Sequence, residues 1–260
     1  MSEVYLKITN GDLLLPIFGT SSRLFSRENL SRAKDGLSKV VGGKIVTNNN
    51  HEYVHCLRNI NISLKSGDRL GLIGHNGAGK TTLLKVMSGI YPIGTGEIEI
   101  KGEISTFISQ GFGMNPEMTA VDYLELQCTI RDFSKEETKA FIRKVLDFVE
   151  LGKFAFMPIR TYSAGMRSRL LATAAISFPC EILLIDEGIG AGDASFSEKF
   201  NIALSHFFES AKIMVLATHS SELLTRWCNK AVVMQKGEIM YSGSVADSLK
   251  FYYETRSEPF

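Results

Sequence analysis

Residues 68–82 read DRLGLIGHNGAGKTT, and the fold turns on how this stretch is taken. An apolar run ends in GHNGAGKT at 74–81, which fits G-x-x-x-x-G-K-[ST] between a buried strand and a helix. Glycines at these positions let the backbone wrap a polyphosphate so that successive amides face its oxygens. Gly74, His75, Asn76, Gly77, Ala78, Gly79, Lys80, Thr81 and Thr82 therefore form a candidate phosphate cradle. Lys80 can reach the β- and γ-phosphates of ATP, and the Thr81 hydroxyl can ligate Mg²⁺.

Such a cradle needs an acid at the end of a second apolar strand, and EILLIDE at 181–187 supplies one. Asp186 is placed to hold Mg²⁺ through its water shell, and Glu187 to polarise the attacking water. A second stretch raises a question. YSAGMRSRL at 162–170 runs a small-residue turn straight into a basic, helix-prone segment, which is how an anion site at a helix start looks. One chain thus carries two such turns.

Composition narrows the field. The 260 residues are 44% hydrophobic and 22% charged with a net charge of +1, an ordinary globular balance with no global case for nucleic acid. Cys56, Cys128, Cys180 and Cys228 lie far apart without a CxxC pair, so reduced thiols in a cytosol are expected. MSEVYLKITNGDLLLPIF lacks both a basic start and a long apolar core, so no signal peptide is expected. Nowhere do about 18 apolar residues run together, as a membrane-spanning helix requires.

Along the chain, VYLKI at 4–8 predicts a short strand. In a basic insert at 20–50, Leu30, Ala33, Leu37 and Val40 recur at helical spacing, while Arg27, Arg32, Lys34 and Lys39 take other faces. The insert ends in the turn-like TNNN; strand signals follow in LRNINISL, DRLGLIG, GEIEIKG and ISTFIS. Residues 119–178 read as helical, with Ser134 and Glu137 in capping-box spacing and Phe141, Val145 and Phe148 or Val149 on one face. Strands EILLID, KIMVLAT, AVVMQKG and EIMYSG then follow, with helices at 195–210, 220–229 and 244–255. The runs ILLI and IMVLA suit a parallel sheet covered on both faces.

The cradle, YSAGM before a helix, ILLIDE, ATHS at 217–220, and Gln110 six residues before Pro116 together resemble an ABC-type ATPase cassette over about residues 53–245. That resemblance implies an α/β P-loop NTPase fold: a mixed core sheet with flanking helices and an inserted all-helical subdomain. The cassette would occupy 1–245, with the basic insert at 20–50 and the helical subdomain at 111–178, leaving 246–260 as a short helix and tail.

The resemblance also answers the question of the second turn. In such cassettes two copies face head to tail, and each nucleotide lies between one copy's cradle and the other's signature turn. Ser163, Ala164, Gly165 and the following helix start would meet the γ-phosphate of the opposite site. His219 would sense that phosphate, Gln110 would contribute to the metal and the catalytic water, and Asp193 would communicate across the homodimer. The aromatic shelf for adenine falls at Tyr53 or His55. The signature departs from the common LSGGQ, with Tyr162, Ala164 and Met166 in place of Leu, Gly and Gln.

The YSAGM variant, followed by RSRLLATAA and DEGIGAGDASF, resembles one branch: ATP-binding subunits of O-antigen, capsular polysaccharide and teichoic acid exporters. Membership implies an ATPase at the cytoplasmic face of the inner membrane, peripheral to two copies of a membrane-spanning permease that moves lipid-linked polysaccharide. The segment GFGMNPEM at 111–118 would receive the permease's coupling helix. The insert would lie at lipid headgroups or beside the glycan entrance, or pack as a solvated helix on the cassette. VADSLKFYYETRSEPF is too short for a further carbohydrate-recognition domain, so none is expected in this chain. Teichoic acid or another cargo is the alternative within transport. A soluble ABC protein of ribosomes or DNA is the alternative outside it, disfavoured by the single cassette, the near-zero charge and the lack of heptads.

Overall fold

The computed structural model describes residues 3–16, 44–48, 51–107, 114–186 and 194–256. The chain opens with β1 (Tyr5–Pro16), β2 (Lys44–Asn48), β3 (His51–Lys65), β4 (Arg69–Ile73), α1 (Lys80–Met87), β5 (Thr95–Lys101) and β6 (Ile104–Phe107). A helical stretch follows: α2 (Ala120–Thr129), α3 (Lys135–Val149), short 3-10 turns at Gly152–Phe156 and Ile159–Thr161, and α4 (Ala164–Ser177). Alternation then returns with β7 (Ile182–Asp186), α5 (Ala194–Ser210), β8 (Ile213–Ala217), α6 (Ser221–Trp227), β9 (Lys230–Gln235), β10 (Glu238–Gly243) and α7 (Val245–Arg256).

These elements form two compact units. The first comprises Met1–Ile108, Glu181–Glu187 and Lys212–Phe260; the second comprises Ser109–Cys180 and Gly188–Ala211. In the first, a six-stranded sheet has the order β10-β9-β4-β8-β7-β6. Every pairing in it is parallel except β10 with β9. The apolar runs account for this. All five residues of β8 and the first four of β7 are buried, as strands covered on both faces must be.

A second, antiparallel sheet has the order β2-β3-β1-β5. Here apolar residues alternate with polar ones, and Leu6, Ile8, Ile60, Ile62 and Leu64 point inward. They share one core with Leu83, Leu84 and Met87 of α1 and with Leu72, Leu184 and Val215 of the parallel sheet. This core grips α1, and with it the loop that α1 begins from.

Several boundaries differ from the sequence expectations, and β3 begins at His51, ahead of the expected LRNINISL. β1 runs on past residue 8 to Pro16 through a bulge at Asn10–Gly11: Asn10 takes φ 49° and the register with β3 shifts there. A Cβ at Gly11 would lie 2.7 Å from side-chain carbons of Ile8 and Ile93. The helix expected over 220–229 ends at Trp227, where Cys228 turns extended. The helical spacing at 30–40 lies outside the described residues, while Lys44–Asn48 joins the antiparallel sheet through pairs from Lys44↔His55 to Asn48↔His51.

In the second unit, α2 and α3 start with capping boxes built on Thr119/Asp122 and Ser134/Glu137. Leu124, Phe141, Val145, Val149, Leu170 and Phe178 form its core, with Phe141 stacked on Phe178 at 4.1 Å. Val149 completes the α3 face, and Phe148 turns instead toward Ala172 and Phe200. α7 is built onto the first unit: Val245, Leu249, Phe251 and Tyr252 pack against Ile73 and Val233, and the buried Ser248 hydroxyl donates to the Ala231 carbonyl at 3.1 Å. Among the described residues no helix is long and apolar enough to cross a membrane.

Candidate functional site

β4, β8 and β7 are neighbours and parallel, so their carboxyl ends lie along one edge of the sheet. In open α/β sheets that edge is where ligands bind. Residues 74–79 leave β4, residues 218–220 leave β8, and Asp186 closes β7, paired in register with Ala217.

The loop after β4 is wound tightly. Gly77 takes φ 81° and Gly79 φ 107°, and the Ala78 amide donates to the His75 carbonyl at 3.1 Å. Lys80 is buried, 7% exposed, and its ammonium donates to the carbonyls of Gly74 at 2.7 Å and His75 at 3.2 Å. α1 starts from Gly79 with no side-chain cap and no acid in its first turn. By contrast α2, α3, α4 and α6 are capped by the side chains of Thr119, Ser134, Ser163 and Ser220. The first-turn amides of α1 thus leave their positive end to an anion.

His219 reaches the same loop: its Nε2 lies 2.9 Å from Asn76 Oδ1. The His75 imidazole Nδ1 sits 2.7 Å from the Asn76 carbonyl. For Mg²⁺, the available donors are the exposed Thr81 in the first turn of α1 and the half-buried Asp186, on an element against which α1 packs. A hydroxyl and a carboxylate are hard oxygen donors of the kind Mg²⁺ takes alongside phosphate and water. No group of three or more His, Cys, Asp or Glu stands together among the described residues. The donor set therefore fits Mg²⁺ and not a closed transition-metal cage.

Tyr53 and His55 share one face of β3, and both are half-buried. The His55 Nε2 is 2.7 Å from Asp12 Oδ1, which ties that ring to β1, whereas Tyr53 stands beside Pro16 and Val46 in the register. A cavity of about 440 Å³ lies beside His75, lined by Met234, Met240, Phe251 and Tyr252. Its apolar walls do not suit a polyphosphate.

In the second unit Ser163 is the N-cap of α4, its Oγ accepting from the Met166 amide at 3.1 Å. Accepting that bond leaves the hydroxyl proton free to be donated elsewhere. Ser163 and Ala164 are exposed and Gly165 half-exposed, while Tyr162 is buried with its hydroxyl on the Phe154 carbonyl at 2.6 Å. A Cβ at Gly165 would meet nothing nearer than Ser163 Oγ at 3.9 Å. Gln110, Glu187 and Asp193 lie outside the described residues, as do 111–113 of GFGMNPEM.

A family model described as ABC transporter matches residues 57–190, the span from the strand before the loop to the segment after Asp186. The chain belongs to the ABC transporter family. It is an ATP-binding cassette, an ATPase whose turnover is coupled to transport. It is 39% identical to the O-antigen export system ATP-binding protein RfbE of Yersinia enterocolitica, over 88% of this chain and 94% of that one. It is 32% identical to the teichoic acids export ATP-binding protein TagH of Bacillus anthracis, over 78% of this chain but 37% of that longer protein. In fold it is similar to the ATP-binding cassette MJ0796 in a dimeric post-hydrolysis state bound to ADP and Pi. The TM-score is 0.64 at 20% identity, covering 92% of this chain and 98% of that one.

Two features of the cassette escaped the sequence reading. Asn76 was expected only to line the cradle, and nothing in its spacing signals a hydrogen bond to His219, 143 residues away. Arg58 and the Lys236–Gly237 turn, which brace the loop, are likewise joined only by the sheet.

Proposed function

We propose that this chain is the ATP-hydrolysing subunit of an exporter that moves a lipid-linked polysaccharide, O-antigen first among the cargoes, across the inner membrane. It works as a head-to-tail homodimer at the cytoplasmic face, peripheral to two copies of a membrane-spanning permease. The amides of 74–80 and the start of α1 hold the phosphates, Lys80 offsets the β/γ charge, and Tyr53 or His55 stacks on adenine. Thr81, Asp186 and Gln110 would hold Mg²⁺, which when bound neutralises charge across the phosphate oxygens. Glu187 polarises the water and His219, steadied by Asn76, orients it toward the γ-phosphate. ATP favours the closed dimer over the open one, and that difference in affinity is what can drive the permease.

The observation that carries the shared site is Gly165. Among the described residues the nearest atom to a Cβ at that position is Ser163 Oγ at 3.9 Å, so the first turn of α4 would hold an alanine there without a clash. That room supports a group arriving from outside the chain, as the opposite copy's nucleotide would. A docking patch for the permease is supported in the second unit by Phe156, 73% exposed, and Met157, 41% exposed. The neighbouring Ile159 and Arg160 amides donate to the carbonyls of Met118 and Pro116 at 2.8 and 2.9 Å, which sets this patch beside the NPEM loop.

The test is Glu187→Gln. ATP should convert that variant to a stable dimer on a sizing column, with turnover lost. Brisk hydrolysis would show that another group polarises the water. Teichoic acid is the second cargo reading, favoured by the TagH similarity. Restoration of O-antigen display in an export-deficient strain by this chain and its own permease would decide for the first.

A further inference from the structure

β9 and β10 are joined by the two-residue turn Lys236–Gly237, with Gln235 paired to Glu238. Lys236 takes φ 48° and Gly237 φ 83°, the pair of left-handed residues a tight hairpin needs. This turn lies against the phosphate loop. The Gly237 amide donates to the Ala78 carbonyl at 2.9 Å. A Cβ at Gly79 would lie 3.3 Å from the Gly237 Cα, and one at Gly74 only 2.5 Å from the Met234 carbonyl oxygen. Main chain of this hairpin thus closes on Gly74, and at Gly79, held at φ 107°, it shares the space with the Cys56 carbonyl oxygen, also at 3.3 Å.

β3 holds the turn from its other side. The Arg58 amide donates to the Gly237 carbonyl at 2.8 Å. Its guanidinium places Nε and Nη2 on the Lys236 carbonyl at 3.2 and 2.7 Å, and Nη1 on the Glu238 carboxylate at 2.9 Å. A Cβ at Gly237 would run into the Cys56 carbonyl. Arg58, the turn and Ala78 form one chain of hydrogen bonds ending in the phosphate loop.

We infer that the Lys236–Gly237 turn, locked by Arg58, is a positioning element for nucleotide: it sets the direction of the Ala78–Gly79 peptide. A trans peptide is planar, with its C=O and N–H opposed. Anchoring the Ala78 carbonyl on the turn therefore aims the Gly79 amide the opposite way, and in a phosphate loop that amide is a donor to ATP. This rests on residues 74–82 being the phosphate cradle. The Arg58 guanidinium engages the Lys236 carbonyl and the Glu238 carboxylate, so it acts through the turn.

The experiment measures the KM for MgATP, kcat and melting temperature of full-length Arg58→Ala, Arg58→Lys and Glu238→Ala, and the equilibrium binding of ATP by full-length Lys80→Ala. Loosening the turn weakens phosphate binding before and during the reaction alike, so Arg58→Ala raises KM about tenfold with kcat within about twofold. Arg58→Lys, which keeps one donor for the Lys236 carbonyl, falls between it and the unaltered protein. Glu238→Ala, which removes only the outer half of the lock, raises KM about threefold and stands in if Arg58→Ala does not fold. A lowered melting temperature with unchanged KM in whichever variants fold would overturn the proposal and leave the turn a prop of the fold alone. Lys80→Ala separates the two layers. If it bound ATP as tightly as the unaltered chain, the cradle assignment would fail, whatever Arg58 does.

Discussion

Glycines in this cassette are small for different reasons, and substitution should sort them. Gly74 is closed in by the Met234 carbonyl at 2.5 Å and the Ala78 Cβ at 2.8 Å, so Gly74→Ala should destabilise by about 1–3 kcal/mol in a denaturant melt. Gly165 has open space around it, so Gly165→Ala should leave stability equal or raise it by up to about 1 kcal/mol. Its ATP turnover should nevertheless fall at least about tenfold, because a methyl would stand where the opposite nucleotide approaches. Full activity in a well-folded Gly165→Ala protein would remove the main support for a shared site. Cys228 offers a smaller check. Burial, partly offset by the Arg69 charge, pushes its thiol up to about 12, so alkylation of this residue in the native protein at pH 8 should be slow.

At the scale of elements, helix starts divide the labour between fold and function. α2 and α3 satisfy their first amides with their own Thr119/Asp122 and Ser134/Glu137 boxes, whereas α1 has no side-chain cap and, in the proposed function, gives its amides to phosphate. Thr119→Ala should cost about 1 kcal/mol of stability in a thermal or denaturant melt. The boxes also carry a pH dependence with a definite sign. The Thr119 amide and hydroxyl lower the Asp122 pKa, and the Ser134 hydroxyl and amide lower that of Glu137. A carboxyl whose folded pKa is depressed contributes stability that is full above its ordinary range and lost as pH falls through the lowered value. Acidification from pH 6 toward pH 3 should therefore erode stability. In Asp122→Asn/Glu137→Gln, the slope over that interval should be shallower. An unchanged slope would show that other carboxylates govern the acid limb.

For the whole molecule, the prediction concerns copies. Each proposed site needs a cradle from one copy and Ser163–Gly165 from another, so specific ATPase activity should fall on dilution. Mixing a Lys80→Ala cradle mutant with a Ser163→Arg signature mutant gives a sharper test. In a mixed dimer both lesions converge on one site and the other site is intact, so activity should reappear in the mixture although each variant alone is inert. No recovery, with dimers demonstrated by sizing, would mean that each copy hydrolyses ATP by itself.

The strand–loop–helix at 69–87, the strand ending in Asp186 and the alternation of apolar runs were legible in the sequence because each is a local pattern. A strand, a phosphate turn and a capping box are built from residues a few positions apart. Even the α3 face was legible, though periodicity left Phe148 and Val149 open and packing chose Val149. What the tertiary structure alone decided is which distant segments meet. It continued β1 past residue 8 through a bulge at Asn10, because pairing with β3 and β5 holds the strand beyond the short alternating run. It brought His219 to Asn76, and Arg58 and Gly237 to Ala78, through the order in which strands lie side by side. Strand order is set by burial summed over the whole core, a quantity no short stretch of sequence contains.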